Sequence, residues 1–153
     1  MSDIEYFSFS QANPKDFLEI VNEDSLRTHL IDHPYFDKAS LQEWVKEKIS
    51  IDNTQGCRVR VVYIDGALAG WCGIQPDDKG FEIAIVIAKK FWGCGLPIFK
   101  TLMCWANELG HKEILFHLLD SRPEYKALKQ ISTKFEKTEL AGRCFTTYYF
   151  SVG

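Results

Sequence analysis

The run FEIAIVIA, Phe81 to Ala88, is apolar on both faces of a strand: Phe81, Ile83, Ile85 and Ile87 point one way, and Glu82, Ala84, Val86 and Ala88 the other. Only a strand inside a sheet that is covered on both sides can bury both sets, so the rest of the chain has to be arranged around it. Glu82 is the odd member of a buried face. Upstream, from Cys57, the period is two. Val59, Val61 and Tyr63 share a face, Asp65-Gly66 is a strong short hairpin signal, a return strand runs through Ile74, and PDDKG supplies the next turn.

Downstream the pattern changes. After KKFWGCGLP, the residues Ile98, Leu102, Trp105, Ala106 and Leu109 recur at helical spacing, with Pro97 suited to the first turn and Gly110 to the C-terminal cap. KEILFHLL reads as a strand, PEYKALKQIST as a short helix, and FEKTEL with RCFTTYYFSV as two closing strands. Ahead of the meander, EYFSF is a short strand, and Asn13-Pro14 opens a helix carrying Phe17, Ile20 and Val21. Ser40, with Glu43 three residues on, reads as the capping box of a second helix bearing Leu41, Trp44, Val45, Lys48 and Ile49. The order predicts a mixed α/β fold: one mostly antiparallel sheet of about seven strands, flanked by helices.

A length of 153 residues suits one domain, 1–153. A net charge of −3 gives no broad basic surface, which argues against nucleic acid as a partner. Five cysteines, an odd number without CxxC spacing, fit neither a disulfide framework nor a zinc cage and suit reduced thiols in the cytoplasm. No apolar run approaches the length needed to span a bilayer, and MSDIEYFSFSQANPKDF lacks the core of a signal peptide, so neither membrane association nor export is expected. His29 and His33 are four apart but lack a third ligand, and no metal is expected. His117 alternates with apolar neighbours and reads as a satisfied sheet histidine.

Gly93 and Gly95 lie where the buried strand gives way to a helix. Bare backbone there can present N–H groups at the positive end of a helix dipole, an anion site whose commonest guest is phosphate. The bland alternative is a tight turn that glycine merely permits. No GK[ST] follows to make a Walker loop, and three antiparallel strands before the glycines are wrong for a dinucleotide-binding unit.

With these residues the chain resembles the GNAT superfamily of N-acetyltransferases over nearly its whole length. The FWGCGL wording and the N-terminal NEDSLRTHL...LQEWVKEKI are most similar to the branch that acetylates ribosomal-protein N-termini. The resemblance implies that acetyl-CoA is the cosubstrate and an amine the acceptor. It matches Trp92, Gly93, Cys94, Gly95, Leu96 and Pro97 to the loop that grips the pyrophosphate, and it implies that backbone near Ile87 and Ala88 meets the pantetheine arm and polarises the thioester. Pro97 has no N–H, which leaves that loop one donor short. The tyrosine that protonates the leaving thiolate in much of the family falls at Gln130.

Glu82 is the candidate general base, because burial raises a carboxylate's pKa toward the useful range; pairing with Arg58 or Arg60 is the structural alternative. Tyr125 is the candidate acid, with Ser121 and Ser132 as smaller ones. Tyr125 and Gln130 are about 140° apart around a helix and cannot both face one thioester. Trp71, on the neighbouring strand, is a candidate wall of the acceptor pocket, and Cys94 is loop filler. Three functions stay open: an acetyl-CoA-dependent N-acetyltransferase acting on a primary amine of a small molecule, peptide or protein N-terminus, as a monomer or homodimer; a protein of the same fold that binds CoA, acyl-CoA or a partner without turnover; and a transferase for a longer acyl chain.

Overall fold

A computed structural model of the chain describes residues 3–22, 36–119, 126–140 and 142–152. Its elements are β1 (Ile4–Phe7), α1 (Pro14–Val21), α2 (Lys38–Asp52), β2 (Arg58–Ile64), β3 (Ala67–Asp77), β4 (Gly80–Ile87), α3 (Gly95–Glu108), β5 (Glu113–Leu119), α4 (Lys126–Ile131), β6 (Lys134–Leu140) and β7 (Arg143–Ser151). The strands form one seven-stranded sheet in the order β1-β2-β3-β4-β5-β7-β6, antiparallel throughout except between β4 and β5. FEIAIVIA is central, as its two apolar faces require.

Each face of that strand has its own core. Ile83, Ile85 and Ile87 pack with Ile98, Phe99 and Leu102 of α3 and with Phe116 and Tyr148. On the opposite face Val86 and Ala88 meet Phe17 and Val21 of α1 and Trp44 of α2. Trp44 is the hub of this second core: its ring centroid lies 5.7 Å from Phe9, 5.7 Å from Phe17, 5.6 Å from Phe36 and 5.7 Å from Trp71. Ring pairs at these separations add to what their burial alone contributes.

The turns follow the local chemistry. Asp65 (φ 52°) and Gly66 (φ 81°) both adopt the left-handed conformation that a tight two-residue hairpin demands. The next turn is tighter than PDDKG suggests. Gln75, Pro76 and Asp77 stay in β3, leaving Asp78 and Lys79 between the strands, because Gln75 pairs with Glu82 and Asp77 with Gly80. The cap of α2 also differs. Asp37, not Ser40, is the N-cap: its carboxylate accepts from the Ser40 N–H at 2.7 Å, while the Ser40 hydroxyl accepts from the Asp37 N–H at 2.9 Å. Asp and Ser three apart make the same reciprocal pair as Ser and Glu, one turn earlier. Asn13 caps α1 as expected, and Pro14 follows it.

Gly70 is required by its surroundings. At φ +152° it passes so close to β4 that a Cβ would stand 2.0 Å from the Val86 carbonyl oxygen. Gly70→Ala therefore forces β3 and β4 apart, with an expected loss of about 3 kcal/mol or more, read from the midpoint of urea unfolding.

Lys48 occupies a core position of α2. It is only 8 % exposed, its Nζ donates to Gln75 Oε1 at 2.8 Å, and it lies 4.1 Å from the centre of the Trp71 ring. Burial pushes its pKa down to about 8, against the upward pull of Glu47 and Glu82. The folded state thus binds this proton less tightly than the unfolded chain does, and stability should rise as pH climbs from about 8 toward 10.5. A shift of that size corresponds to roughly 3 kcal/mol. Chemical denaturation of wild type and Lys48→Met across pH 7–10.5 is expected to show that rise in the wild type and a flatter profile in the variant.

Candidate functional site

The parallel pairing of β4 with β5 is brief: Glu82 aligns with Leu115 and Ile83 with Phe116, and the two strands then part. The Ala88 N–H is taken by Ala69 O of β3 at 2.9 Å. Amide groups alternate along an extended strand, so those of Ile85 and Ile87 point the other way, into the opening between β4 and β5. Of the two residues expected to meet a ligand's backbone-pairing arm, only Ile87 thus offers its N–H to the gap. Its carbonyl accepts from Trp92 Nε1 at 3.2 Å, which ties the end of β4 to the glycine-bearing segment.

That segment is helical rather than looped. A 3₁₀ turn over Lys89–Cys94 runs directly into α3, and Gly95 has ordinary helical angles (φ −60°, ψ −42°). Neither Gly93 nor Gly95 is needed for a strained turn, so the tight-turn explanation of these glycines does not hold. Both line a cavity of about 300 Å³ whose other walls are apolar: Ile85, Ile87, Trp92, Leu96, Phe99, Phe116, Leu118 and Leu128. A Cβ at either glycine would meet nothing within 4 Å. The two glycines therefore keep open space at the start of a helix, beside an apolar cleft, which suits a ligand with a phosphorylated end and an apolar arm. The donors are few, since the Gly95 N–H turns back to Trp92 O and Pro97 has none. Cys94 is half-buried and Leu96 is 46 % exposed.

On the other face of the sheet, at the closed end of the gap, polar groups converge. Glu82 Oε1 accepts from Gln75 Nε2 at 2.7 Å, and Gln75 in turn accepts from Lys48. His117 Nε2 lies 3.1 Å from Asp77 Oδ1 and 3.6 Å from Glu82 Oε2, while Nδ1 lies 2.7 Å from Thr147 Oγ1. Burial raises the Glu82 carboxyl above the usual carboxylate range. Asp77 adds to the effect, and Gln75, His117 and Lys48 oppose it. The arginine alternative fails: Arg58 pairs with Glu108, and Arg60 with Asp52.

Asp77, Glu82 and His117 have donor atoms within 4.8 Å of one another, a set that a divalent cation could use. The charge count favours a proton. With Lys48 beside them, two carboxylates need one further positive charge for neutrality, and a dication would leave a buried excess.

Trp71 is 3 % exposed beneath Lys48, packed on Trp44, and its indole N–H has no partner among the described residues. Ser132 caps the end of α4 by donating to Lys129 O at 2.9 Å. Tyr125, Ser121, His29 and His33 lie outside the described residues. The sequence reading missed Asp77, Gln75 and Lys48 as neighbours of Glu82. One signal was available, a lysine in the apolar stripe of α2. His117 is satisfied, as expected, but by site carboxylates as well as by Thr147.

No protein-family model matches this sequence, and no curated protein matches it. Solved structures do. A Bordetella pertussis protein assigned to the GnaT acetyltransferase family superposes with a TM-score of 0.75 at 13 % identity, covering 97 % of this chain and 95 % of that one. The spermidine N-acetyltransferase of Vibrio cholerae, solved with CoA and spermine, gives 0.70 at 16 % identity over 98 % and 95 %. An N-acetyltransferase of Staphylococcus aureus Mu50 gives 0.68 at 13 % over 100 % and 99 %. The mixed α/β architecture of this chain, a seven-stranded, mostly antiparallel sheet flanked by helices, is that of the GNAT acetyltransferase fold.

Proposed function

We propose that the protein is an acetyl-CoA-dependent N-acetyltransferase acting on a primary amine. The observation that carries this reading is the parting of β4 from β5 between the glycine-lined cavity and the half-buried carboxylate of Glu82. Ile85 and Ile87 line the cavity, and Glu82, by the alternation of β4, lies on the face that Val86 and Ala88 turn toward α1 and α2. A gap at this point would let an acyl donor held on one face meet an amine on the other.

Acetyl-CoA would supply the activated acyl group as a thioester. Gly93, Gly95 and Leu96 would receive its pyrophosphate with Trp92 and Cys94 beside them, and Ile85 and Ile87 would offer their N–H groups to the arm and the carbonyl oxygen. Glu82 would take the amine's proton as the C–N bond forms and the C–S bond breaks, its pKa raised by burial. Trp71 would act as support beneath the acceptor side, through Lys48. Tyr125 is retained as the candidate acid, although a thiolate leaves without one far more readily than an amine does.

The acceptor class is a small molecule, a peptide or a protein N-terminus. The FWGCGL wording favours the last, and the likeness to a spermidine acetyltransferase keeps polyamines among the amines to try. Among the described residues no helix is long and apolar enough to cross a membrane. The odd number of cysteines without CxxC spacing is what supports a reducing, cytoplasmic setting. The second reading, binding of CoA or an acyl-CoA without turnover, is favoured by the scarcity of donors at Gly95 and Pro97. The apolar lining of the cavity would also accommodate a longer acyl chain.

Gly95→Glu puts bulk and negative charge where the pyrophosphate would lie, and should abolish acetyl-CoA binding in calorimetry while leaving far-UV circular dichroism intact. Unchanged affinity in the folded variant would remove the cradle. Glu82→Gln keeps the shape but cannot accept a proton. Its transfer rate on an amine panel should fall by roughly a hundredfold near neutral pH with acetyl-CoA affinity preserved. In the wild type the acidic limb of the rate profile should lie above the ordinary carboxylate range, since only ionised Glu82 serves as base and burial raises its pKa. Binding by the wild type without turnover on any amine would favour the second reading.

A further inference from the structure

We propose that His117 is a positioning residue for the base: its Nε2 takes over the proton that Glu82 removes from the acceptor amine, and Asp77 holds the resulting imidazolium. The inference rests on the transferase reading above and extends it to a residue that the sequence marks only as a sheet histidine.

The geometry is specific. Nε2 lies 3.1 Å from Asp77 Oδ1 and 3.6 Å from Glu82 Oε2, so one ring nitrogen faces two carboxylates on neighbouring strands. Once Nε2 has taken a proton it is placed to donate to Asp77 Oδ1 at 3.1 Å, so the carboxylate is where an imidazolium needs its counter-charge. The other nitrogen is held by Thr147 Oγ1 at 2.7 Å, on a residue with no exposed surface, and Thr147 pairs directly with His117 across β5 and β7. With Nδ1–H donating to that hydroxyl, Nε2 is the nitrogen left to gain and lose a proton.

The charges around the ring agree. From β3 comes Asp77, from β4 Glu82, and from α2 Lys48 through Gln75; on β6, Glu136 aligns with Thr147 and accepts from Tyr149 of β7 and from Lys79 of the β3–β4 turn. With His117 neutral and Lys48 charged, the inner group carries one net negative charge, and one added proton makes it neutral. The step balances without any other reactant. An N–H bond of the amine breaks as an O–H forms on Glu82, then that O–H breaks as an N–H forms on His117. The proton leaves to water past Asp77, whose side chain keeps 18 % of its surface exposed.

Nitrogen-15 NMR of the histidine rings, in protein labelled at histidine and titrated from pH 5 to 9, tests the relay without any acceptor. The expected result is that His117 keeps a proton on Nδ1 throughout and loses one from Nε2 as pH rises. Glu82→Gln, which removes a neighbouring negative charge, should move that loss to lower pH. Nε2 protonated across the whole range, with Nδ1 bare, would overturn the proposal, as would a titration indifferent to Glu82→Gln. A visible Co(II) band that disappears in His117→Gln would also overturn it, by making the cluster a metal site.

With an acceptor in hand, His117→Gln keeps hydrogen-bonding ability but cannot carry the charge. Its rate should fall about tenfold to a hundredfold, with loss of one step in the pH profile and with acetyl-CoA affinity unchanged. Asp77→Asn should do the same if His117→Gln proves too unstable to assay. Full activity with an unaltered pH profile in both variants would overturn the relay and leave Glu82 as base. Wild-type protein that transfers to no amine would count against the transferase reading, while the ring titration still decides whether Nε2 exchanges a proton with this cluster.

Discussion

The backbone ladder between β4 and β5 is two residue pairs long, and most of what the molecule can do depends on how short it is. A parallel ladder that continued past Ile83 would occupy the amides of Ile85 and Ile87 and close the sheet. Because the strands part instead, those amides face an opening with an apolar cavity on one side and a cluster of ionisable groups on the other. Trp92 braces the parted end by donating its indole N–H to Ile87 O. The exposed backbone is thus held in place rather than left free.

The layer carrying α1 and α2 has a second constraint. Trp44 packs four aromatic rings around itself and sets the height at which α2 crosses the sheet. That height puts Lys48 over Trp71 and within reach of Gln75. A buried ammonium is costly unless it is partnered, and here the partner is an amide that also holds Glu82. Packing and electrostatics are therefore coupled: shifting Trp44 would move the cation that offsets two half-buried carboxylates. His117 completes the arrangement from β5, so three strands and a helix converge on one carboxylate.

Much of the fold was legible in the sequence. Periodicity located every described strand, and the doubly apolar run had to be central because no other position hides both of its faces. The Asp65-Gly66 turn and the Asn13 cap were readable because each satisfies a local rule. Where the reading slipped, a neighbouring element decided the outcome. Gln75 and Asp77 belong to β3 because β4 pairs with them, and Asp37 caps α2 because Ser40 is free to return the bond. Gly93 and Gly95 drew notice for the right place and an incomplete reason, since their backbone is ordinary helix and only the cavity beside them explains the missing side chains.

By itself the sequence determined the order of elements, the central strand and the oddity of a glutamate on it, because these follow from local spacing and from what a single strand can bury. It could not bring Asp77, Glu82, His117 and Lys48 together. They lie on β3, β4, β5 and α2, and their meeting depends on strand register, on where the parallel ladder stops and on the height at which α2 crosses. Those quantities are set by contacts between elements far apart in the chain, and only the tertiary structure decides them. Hence one carboxylate was visible as a candidate base, while the imidazole, amide and ammonium that govern its charge were not.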